Sequence, residues 1–138
     1  MLGAASAAAA GARDVVQGRA YYLRYCASCH GENGNGRGPI ASSLKQQPAD
    51  LRMLGEKYGT PLRIRELARF IDGREYVAAH GPREMPVWGE RFYDIWSAQG
   101  SKQGSMQDRI RKIILYLRTI QIKTPPGNPQ AQRNRATD

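Results

Sequence analysis

Two cysteines and a histidine stand together in the run Cys26-Ala27-Ser28-Cys29-His30. This spacing, C-x-x-C-H, is the pattern through which a protein attaches haem covalently. The two thiols can reach the two vinyl groups on one edge of a porphyrin and become thioethers, and the histidine that follows is then held beneath the iron. The pattern predicts a haem c linked to Cys26 and Cys29, with His30 as one axial ligand.

Two other kinds of site use the same residue types. A thioredoxin-like dithiol needs a βαβ context, whereas the sequence around these cysteines is helical and shows no strand alternation. A zinc site needs four ligands that converge tetrahedrally. The adjacent Cys29 and His30 would then have to face one ion, with the distant His80 completing the set. That arrangement is strained, so haem attachment is the favoured interpretation.

Size and composition agree with a single small domain. A chain of 138 residues is near the lower end of what can bury an apolar core alone. Aromatic residues make up only 8% and the mean hydropathy is −0.60. We therefore expect a macrocycle to supply part of the apolar filling. Both cysteines belong to the motif, so cysteine usage says nothing about the redox compartment.

The charge of the chain favours acidic partners. A formal charge of +9 results from 21 Lys and Arg against 12 Asp and Glu. A basic surface steers association with acidic proteins and makes the association rate fall with salt. No nucleic-acid-binding motif is present. About half of the cations can be explained as a solvated helix face and a basic tail.

The two ends of the chain differ in composition from its middle. Residues 1–13 are mostly small and resemble the end of a secretory signal with an A-x-A-like pattern, so we expect a flexible leader outside the fold. This stretch is too short and too weakly apolar to span a bilayer. Residues 14–122 are predicted to form the domain. Residues 123–138 are predicted to be a disordered, Pro-rich basic tail.

Three main helices are predicted. The first runs from Asp14 to about Cys26, and Gly18 within it suggests the close passage of another helix. The second begins at Thr60-Pro61 and ends at Gly73. The last begins at Ser105. Its buried stripe is predicted to be Ile110, Ile113, Ile114, Leu117 and Ile120, and its opposite, basic face to be Arg109, Arg111, Lys112 and Arg118.

A glycine- and proline-rich segment follows the C-x-x-C-H motif. Its composition excludes a regular element and indicates an ordered loop that can lie close to a flat cofactor. We expect a carbonyl near Pro39 to accept the Nδ1 proton of His30, which would fix the imidazole and raise its donor strength.

A second candidate iron ligand lies further along the chain. Met85 is flanked by proline and glycine, away from any helical stripe, and a thioether is a soft ligand that raises the reduction potential. The segment that starts at Trp88 reads as a helical face around the haem pocket. Met53 and Met106 fit packing better. For His80 a structural or propionate-side role is favoured over ligation.

Taken together, these motifs resemble the bacterial class I, mono-haem cytochromes c over roughly residues 14–121. The resemblance rests on the C-A-S-C-H motif, on the loop proline in Gly36-Arg37-Gly38-Pro39, and on the run Met-Pro-Val-Trp-Gly at 85–89. It also includes the positions where the first and last helices of that family cross. These are Gly18, Tyr22, Tyr116 and Leu117.

The resemblance implies an all-α cytochrome c fold, with three main helices, short helices and an ordered Gly/Pro loop wrapped around one covalently bound haem c. It implies His30 and Met85 as axial ligands and thioethers at Cys26 and Cys29. Pro39 and Trp88 are expected to line the cofactor site, and no catalytic residue is expected. Maturation of that family outside the cytoplasm implies a periplasmic location.

The expected function is single-electron transfer between a respiratory or dehydrogenase donor and a terminal acceptor, through an exposed haem edge that docks acidic partners. With both axial positions filled there is no open site for a substrate. Two alternatives remain. The chain could be a haem c subunit of a larger oxidoreductase, associated with the inner membrane through that complex, or a haem enzyme or gas sensor with a labile methionine ligand.

Overall fold

The computed structural model describes residues 3–73, 85–86, 88, 91 and 106–122, and this part of the chain is helical. The α-helices are α1 (Gly3–Tyr25), α2 (Ala27–His30), α3 (Leu54–Tyr58), α4 (Ile64–Asp72) and α5 (Met106–Thr119). Two 3-10 turns, Ala41–Ser43 and Leu51–Met53, lie between α2 and α3. The predicted all-α class is confirmed for these residues.

The core lies where α1 packs against α5. Gly18 of α1 is buried against the backbone of α5, and a Cβ added there would overlap the carbonyl of Lys112. Tyr22, one turn further along α1, is fully buried, and its ring centroid lies 5.2 Å from that of Tyr116. The predicted close passage at Gly18 is thereby confirmed. So is the apolar stripe of α5, since Ile110, Ile113, Ile114 and Leu117 are buried and Ile120 packs against them.

The first helix is longer than the sequence predicts. It begins at Gly3 rather than near Asp14. Alanine has the highest helix propensity of all residues, and the leader is rich in it, so the helix continues through this stretch. Residues 8–13 are exposed, and a Cβ at Gly11 would meet no atom within 4 Å. None of the helices among the described residues has the length and apolar character needed to cross a membrane.

The prediction for α4 is right at its end and wrong at its start. Gly73 closes the helix in a left-handed conformation, and its N–H donates to Arg69. The helix begins at Ile64, however, and not at Pro61. The reason is the Leu62 carbonyl, which accepts from the Arg118 guanidinium at 2.9 and 2.5 Å instead of from a helical N–H. Leu62 is fully buried there.

Most basic residues of α5 are bound within the protein, so the prediction of a solvated basic face is only partly right. Arg109 is only 7% exposed and stacks over Tyr21, with 5.5 Å between the guanidinium carbon and the ring centroid. Lys112 pairs with Asp108 at 2.6 Å, and Arg111 pairs with Asp14 at 2.5 Å. Arg118 donates to the Leu62 carbonyl, whereas the side chain of Arg111 stays 42% exposed.

Candidate haem-attachment site

The two cysteines and the histidine are held on a single helical turn. After α1 ends at Tyr25, the carbonyl of Cys26 accepts from the N–H of Cys29 at 3.2 Å and from that of His30 at 2.9 Å. Gly31 ends the turn with φ 79°, and its N–H donates to Ala27. Glycine adopts a positive φ without steric cost, so Gly31 lets the turn end directly after His30. All three functional side chains therefore project from one short, capped element.

The glycine-rich loop is tied to the outside of this turn by its backbone. The N–H of Gly38 donates to Cys29 at 3.0 Å, and that of Ile40 donates to Ser28 at 3.1 Å. A Cβ at Gly38 would overlap the carbonyl of Ser28. The loop lies this close to α2 only because glycine has no side chain, which bears out the prediction of an ordered loop rather than a flexible one.

His30 has a main-chain partner, but not the one predicted. Its Nδ1 lies 3.0 Å from the carbonyl oxygen of Ala49, so the expected carbonyl near Pro39 is wrong. Residues 38 and 40, on either side of Pro39, are bound to α2, and Pro39 itself is exposed. A carbonyl only accepts, so Nδ1 carries the proton and Nε2 keeps a lone pair. This is the tautomer that a metal ligand needs.

Burial sets the protonation of the site. It lowers the pKa of His30, although the bond to the Ala49 carbonyl opposes the shift, so the imidazole is neutral at pH 7. It raises the pKa of Cys26 to about 12, with the neighbouring Cys29 thiol adding to the effect. A reactive dithiol has a depressed thiol pKa. Cys26 therefore lacks the electronic character of a thioredoxin-like nucleophile, and the two cysteines do not form a disulfide.

The segment of the second candidate ligand meets the attachment turn through aromatic rings. Trp88 is half-buried, and its ring centroid lies 5.9 Å from that of Tyr25, the residue before Cys26. Met85, also half-buried, precedes Trp88 by three residues, so their Cα atoms are at most about 11 Å apart. The structure thus brings Trp88, three residues after Met85, to the end of α1 that precedes Cys26. His80 lies outside the described residues, so the zinc set that would need it stays untested.

Two contacts of the site carry little sequence signal. The buried hydroxyl of Tyr22 donates to the Gly31 carbonyl at 2.5 Å, directly after His30. Burial raises the pKa of Tyr22, so this hydroxyl stays protonated as a donor. The other contact is the Ala49 carbonyl, and an alanine in a polar loop has no feature that distinguishes its main chain from its neighbours'. Only the buried tyrosine, one helical turn before Cys26, could have suggested a polar partner.

The donor set fits a covalently bound haem. Two thiols on one turn supply the thioether positions, and a neutral imidazole with a free Nε2 supplies an axial nitrogen. Within the described residues, no three His, Cys, Asp or Glu side chains gather as they would around a metal ion bound by the protein alone. The chemistry of the turn matches attachment of an iron porphyrin.

Comparison with known families agrees with this assignment. The family described as "Cytochrome C oxidase, cbb3-type, subunit III" matches residues 13–95. The chain belongs to this family and is a c-type cytochrome. A cytochrome c domain carries a covalently bound haem c and transfers electrons through it. Searches of curated proteins and of solved structures gave no match.

Proposed function

We propose that this protein is a mono-haem, single-electron carrier. Cys26 and Cys29 hold the haem through thioethers, and His30 and Met85 are its axial ligands. The observation that carries the proposal is the Nδ1 contact of His30 with the Ala49 carbonyl at 3.0 Å, which leaves Nε2 as the metal-binding nitrogen on the turn of the two cysteines. The bound haem supplies the reversible exchange of one electron.

The residues around the site have to hold the axial imidazole still while the charge of the iron changes. The Ala49 carbonyl fixes the ring of His30, and the Tyr22 hydroxyl fixes the main chain at Gly31. The half-buried rings of Trp88 and Tyr25 pack against each other next to the turn, with their centroids 5.9 Å apart. A site that does not rearrange keeps the reorganisation of each transfer small, which suits a carrier and leaves no position open for a substrate.

A mixed apolar and basic surface supports docking of an acidic partner next to the attachment turn. Ile40 and Leu44 are 45% and 39% exposed, and Ile40 is bonded to Ser28, the exposed residue between the cysteines. Arg37 and Lys45 are exposed on the same loop, and residues 33–49 contain no acidic side chain. We infer that a partner with carboxylates around an apolar centre docks here, where an electron has the shortest path to the thioether edge. We place this exchange in the periplasm.

A second candidate is a haem c subunit of a terminal oxidase or another oxidoreductase. The description of the matching family, which names a subunit of a cytochrome c oxidase, favours it. The same haem site would then pass electrons within a complex. Size-exclusion chromatography of the native protein distinguishes the two, because a carrier elutes at the size of the 15.3 kDa chain and a subunit elutes with its complex.

The proposal is tested on the haem-loaded protein. A red-region charge-transfer band in the ferric spectrum is expected from methionine ligation, and Met85→Ala should abolish it. Electron transfer to an acidic redox protein in stopped flow should slow as salt is added. Rapid binding of CO to the ferrous wild type, without that band, would contradict six-coordinate ligation and indicate a sensor or enzyme.

Docking is tested with a pair of charge reversals. Lys45→Glu should slow transfer by about fivefold at low salt, since a charge at the rim of an interface acts mainly on the association rate. Arg13→Glu is the control, because it makes the same change in net charge about 20 Å along α1 from Cys26. Equal rates for the two variants would contradict docking next to the attachment turn.

A further inference from the structure

The acceptor of the His30 proton lies on a segment with few anchors of its own. We call residues 47–51 the strap. Among the described residues, no hydrogen bond between two backbone groups involves residues 45–49. The strap is next held by the backbone at Leu51, whose N–H donates to Gly34 at 2.7 Å. Pro48 has no N–H to donate. On the N-terminal side of Ala49, the strap therefore has to be held by a side-chain hydrogen bond.

Gln47 supplies that anchor. Its side-chain Nε2 donates to the carbonyl of Gly36 across the loop. A Cβ at Gly36, which has φ +74°, would overlap the carbonyl of Pro48, so strap and loop touch through their backbones at this point. Glycine at 36 is what permits the Gln47 side chain to reach its acceptor.

These contacts form a closed path that begins and ends on the same histidine. The carbonyl of His30 accepts from the N–H of Gly36 at 2.8 Å, and the carbonyl of Gly36 accepts from Gln47. Two residues after Gln47, the carbonyl of Ala49 lies 3.0 Å from His30 Nδ1. The backbone of His30 thus helps to fix the position of the Ala49 carbonyl, and that carbonyl in turn orients the His30 ring.

We propose that Gln47 is a positioning residue, which sets the hydrogen bond between His30 and the Ala49 carbonyl and through it the electron-donor strength of the imidazole. The inference rests on the proposed function, in which His30 is the axial ligand. An Nδ1–H bond to a carbonyl makes the ring a stronger donor and stabilises ferric iron. Loosening that bond therefore favours the ferrous state.

The surroundings of Gln47 allow this role to be tested without damage to the core. Its side chain borders an open cavity of about 600 Å³, together with Arg37, Ser42 and Asp50. None of the fully buried side chains is among the lining residues. The strap keeps its anchors beyond Ala49, because Asp50 accepts from the backbone N–H of Arg52 at 3.0 Å. A substitution at 47 should then act on the acceptor and not on folding.

The experiment compares Gln47→Met with Gln46→Met in the haem-loaded protein. Methionine keeps the length of the side chain and removes its N–H donors, and the exposed Gln46 offers the same change one residue away. Two quantities are measured: the reduction midpoint, and the exchange rate of the His30 Nδ1 proton by NMR in the diamagnetic ferrous form. If Gln47→Met lowers the yield of holoprotein, Gln47→Leu, which is likewise uncharged and has no N–H donor in its side chain, is measured instead.

We expect the Gln47 variant to shift the reduction equilibrium about threefold toward the ferrous form, a rise of about 30 mV for one electron. The Nδ1 proton should exchange about tenfold faster, and Gln46→Met should change neither quantity. Identical potentials and exchange rates in the two variants would overturn the inference. Haem attachment in the wild type, scored by extraction of non-covalent haem, tests the proposed function alone.

Discussion

The crossing of α1 with α5 and the attachment segment, residues 26–51, are held together by different parts of the chain. At the crossing, side chains do the packing, and Tyr22, Ile110 and Ile114 are fully buried. In the attachment segment, Ala27 and Ala41 are the buried apolar side chains, and backbone hydrogen bonds connect the loop to α2. The crossing is stabilised by packed side chains, and the attachment segment is stabilised by hydrogen bonds to main-chain carbonyls.

This difference has a consequence for the site. A side chain can be deleted by substitution, whereas a carbonyl such as that of Ala49 stays whatever residue carries it. Its position can only be changed through the residues that hold the chain, and these are glycines and one glutamine. The attachment segment should therefore be sensitive at positions where no buried side chain is found.

The largest effect is expected at the crossing from Gly18→Ala. The new Cβ would overlap the Lys112 carbonyl, which belongs to a helix backbone and cannot move alone. We expect a loss of about 3–5 kcal/mol in the free energy of unfolding, measured with denaturant. Gly11→Ala is the control in the same helix and should be neutral or stabilise by up to about 1 kcal/mol. A Gly18→Ala variant that loses little stability would show that the two helices are not in backbone contact.

In the attachment segment, Gly38→Ala should follow with a loss of about 2–3 kcal/mol. Its Cβ would overlap the Ser28 carbonyl, but the loop can shift more readily than a helix. Gly55→Ala, where the nearest atom is a Thr60 side-chain oxygen at 3.4 Å, is the matched control. If the Gly38 and Gly55 variants are equally stable, the loop is not held against α2 as described.

Tyr22→Phe tests the residue that joins the two regions. Its ring packs at the crossing, and its hydroxyl donates to the Gly31 carbonyl of the attachment turn. Loss of the hydroxyl leaves a buried carbonyl with one donor fewer, and we expect a cost of about 1–2 kcal/mol. Tyr21→Phe, on the half-buried neighbouring residue, should cost less. Equal costs would mean that the Tyr22 bond contributes nothing specific.

The smallest effect at neutral pH, at most about 1 kcal/mol, is expected from Asp108→Asn. Hydrogen bonds from Lys112 and Arg111 hold the pKa of Asp108 below its ordinary value. A carboxyl with a lower pKa in the folded state stabilises the protein above its unfolded pKa of about 3.9, and this contribution is lost as the pH falls through the folded pKa. The variant should therefore differ least from wild type at the lowest pH.

Asp50 gives the matching test in the attachment segment, since a hydrogen bond from Arg52 lowers its pKa in the same sense. Unfolding curves of Asp108→Asn and Asp50→Asn between about pH 2 and 6 separate the acid sensitivity of the two regions. If the stability of both variants falls with pH in parallel with that of the wild type, these carboxylates are not the source of the acid sensitivity.

The sequence by itself determined the features that depend on spacing along one element. The C-x-x-C-H turn, the buried stripe of α5 and the close passage at Gly18 were all predictable, because helical periodicity brings residues together wherever the helix goes. The end of α4 at Gly73 belongs to the same group. The assignment of Met85 as the second axial ligand stays a prediction.

Only the tertiary structure decided which main-chain groups serve as partners. The acceptor of His30 is Ala49 and not a carbonyl near Pro39, and the acceptor of Arg118 is Leu62, which delays the start of α4. Arg111 of α5 likewise pairs with Asp14, a residue distant in sequence. Every residue carries the same main-chain carbonyl. Which carbonyl accepts a side-chain hydrogen bond therefore depends on the path of the chain in space and cannot be read from the residue type.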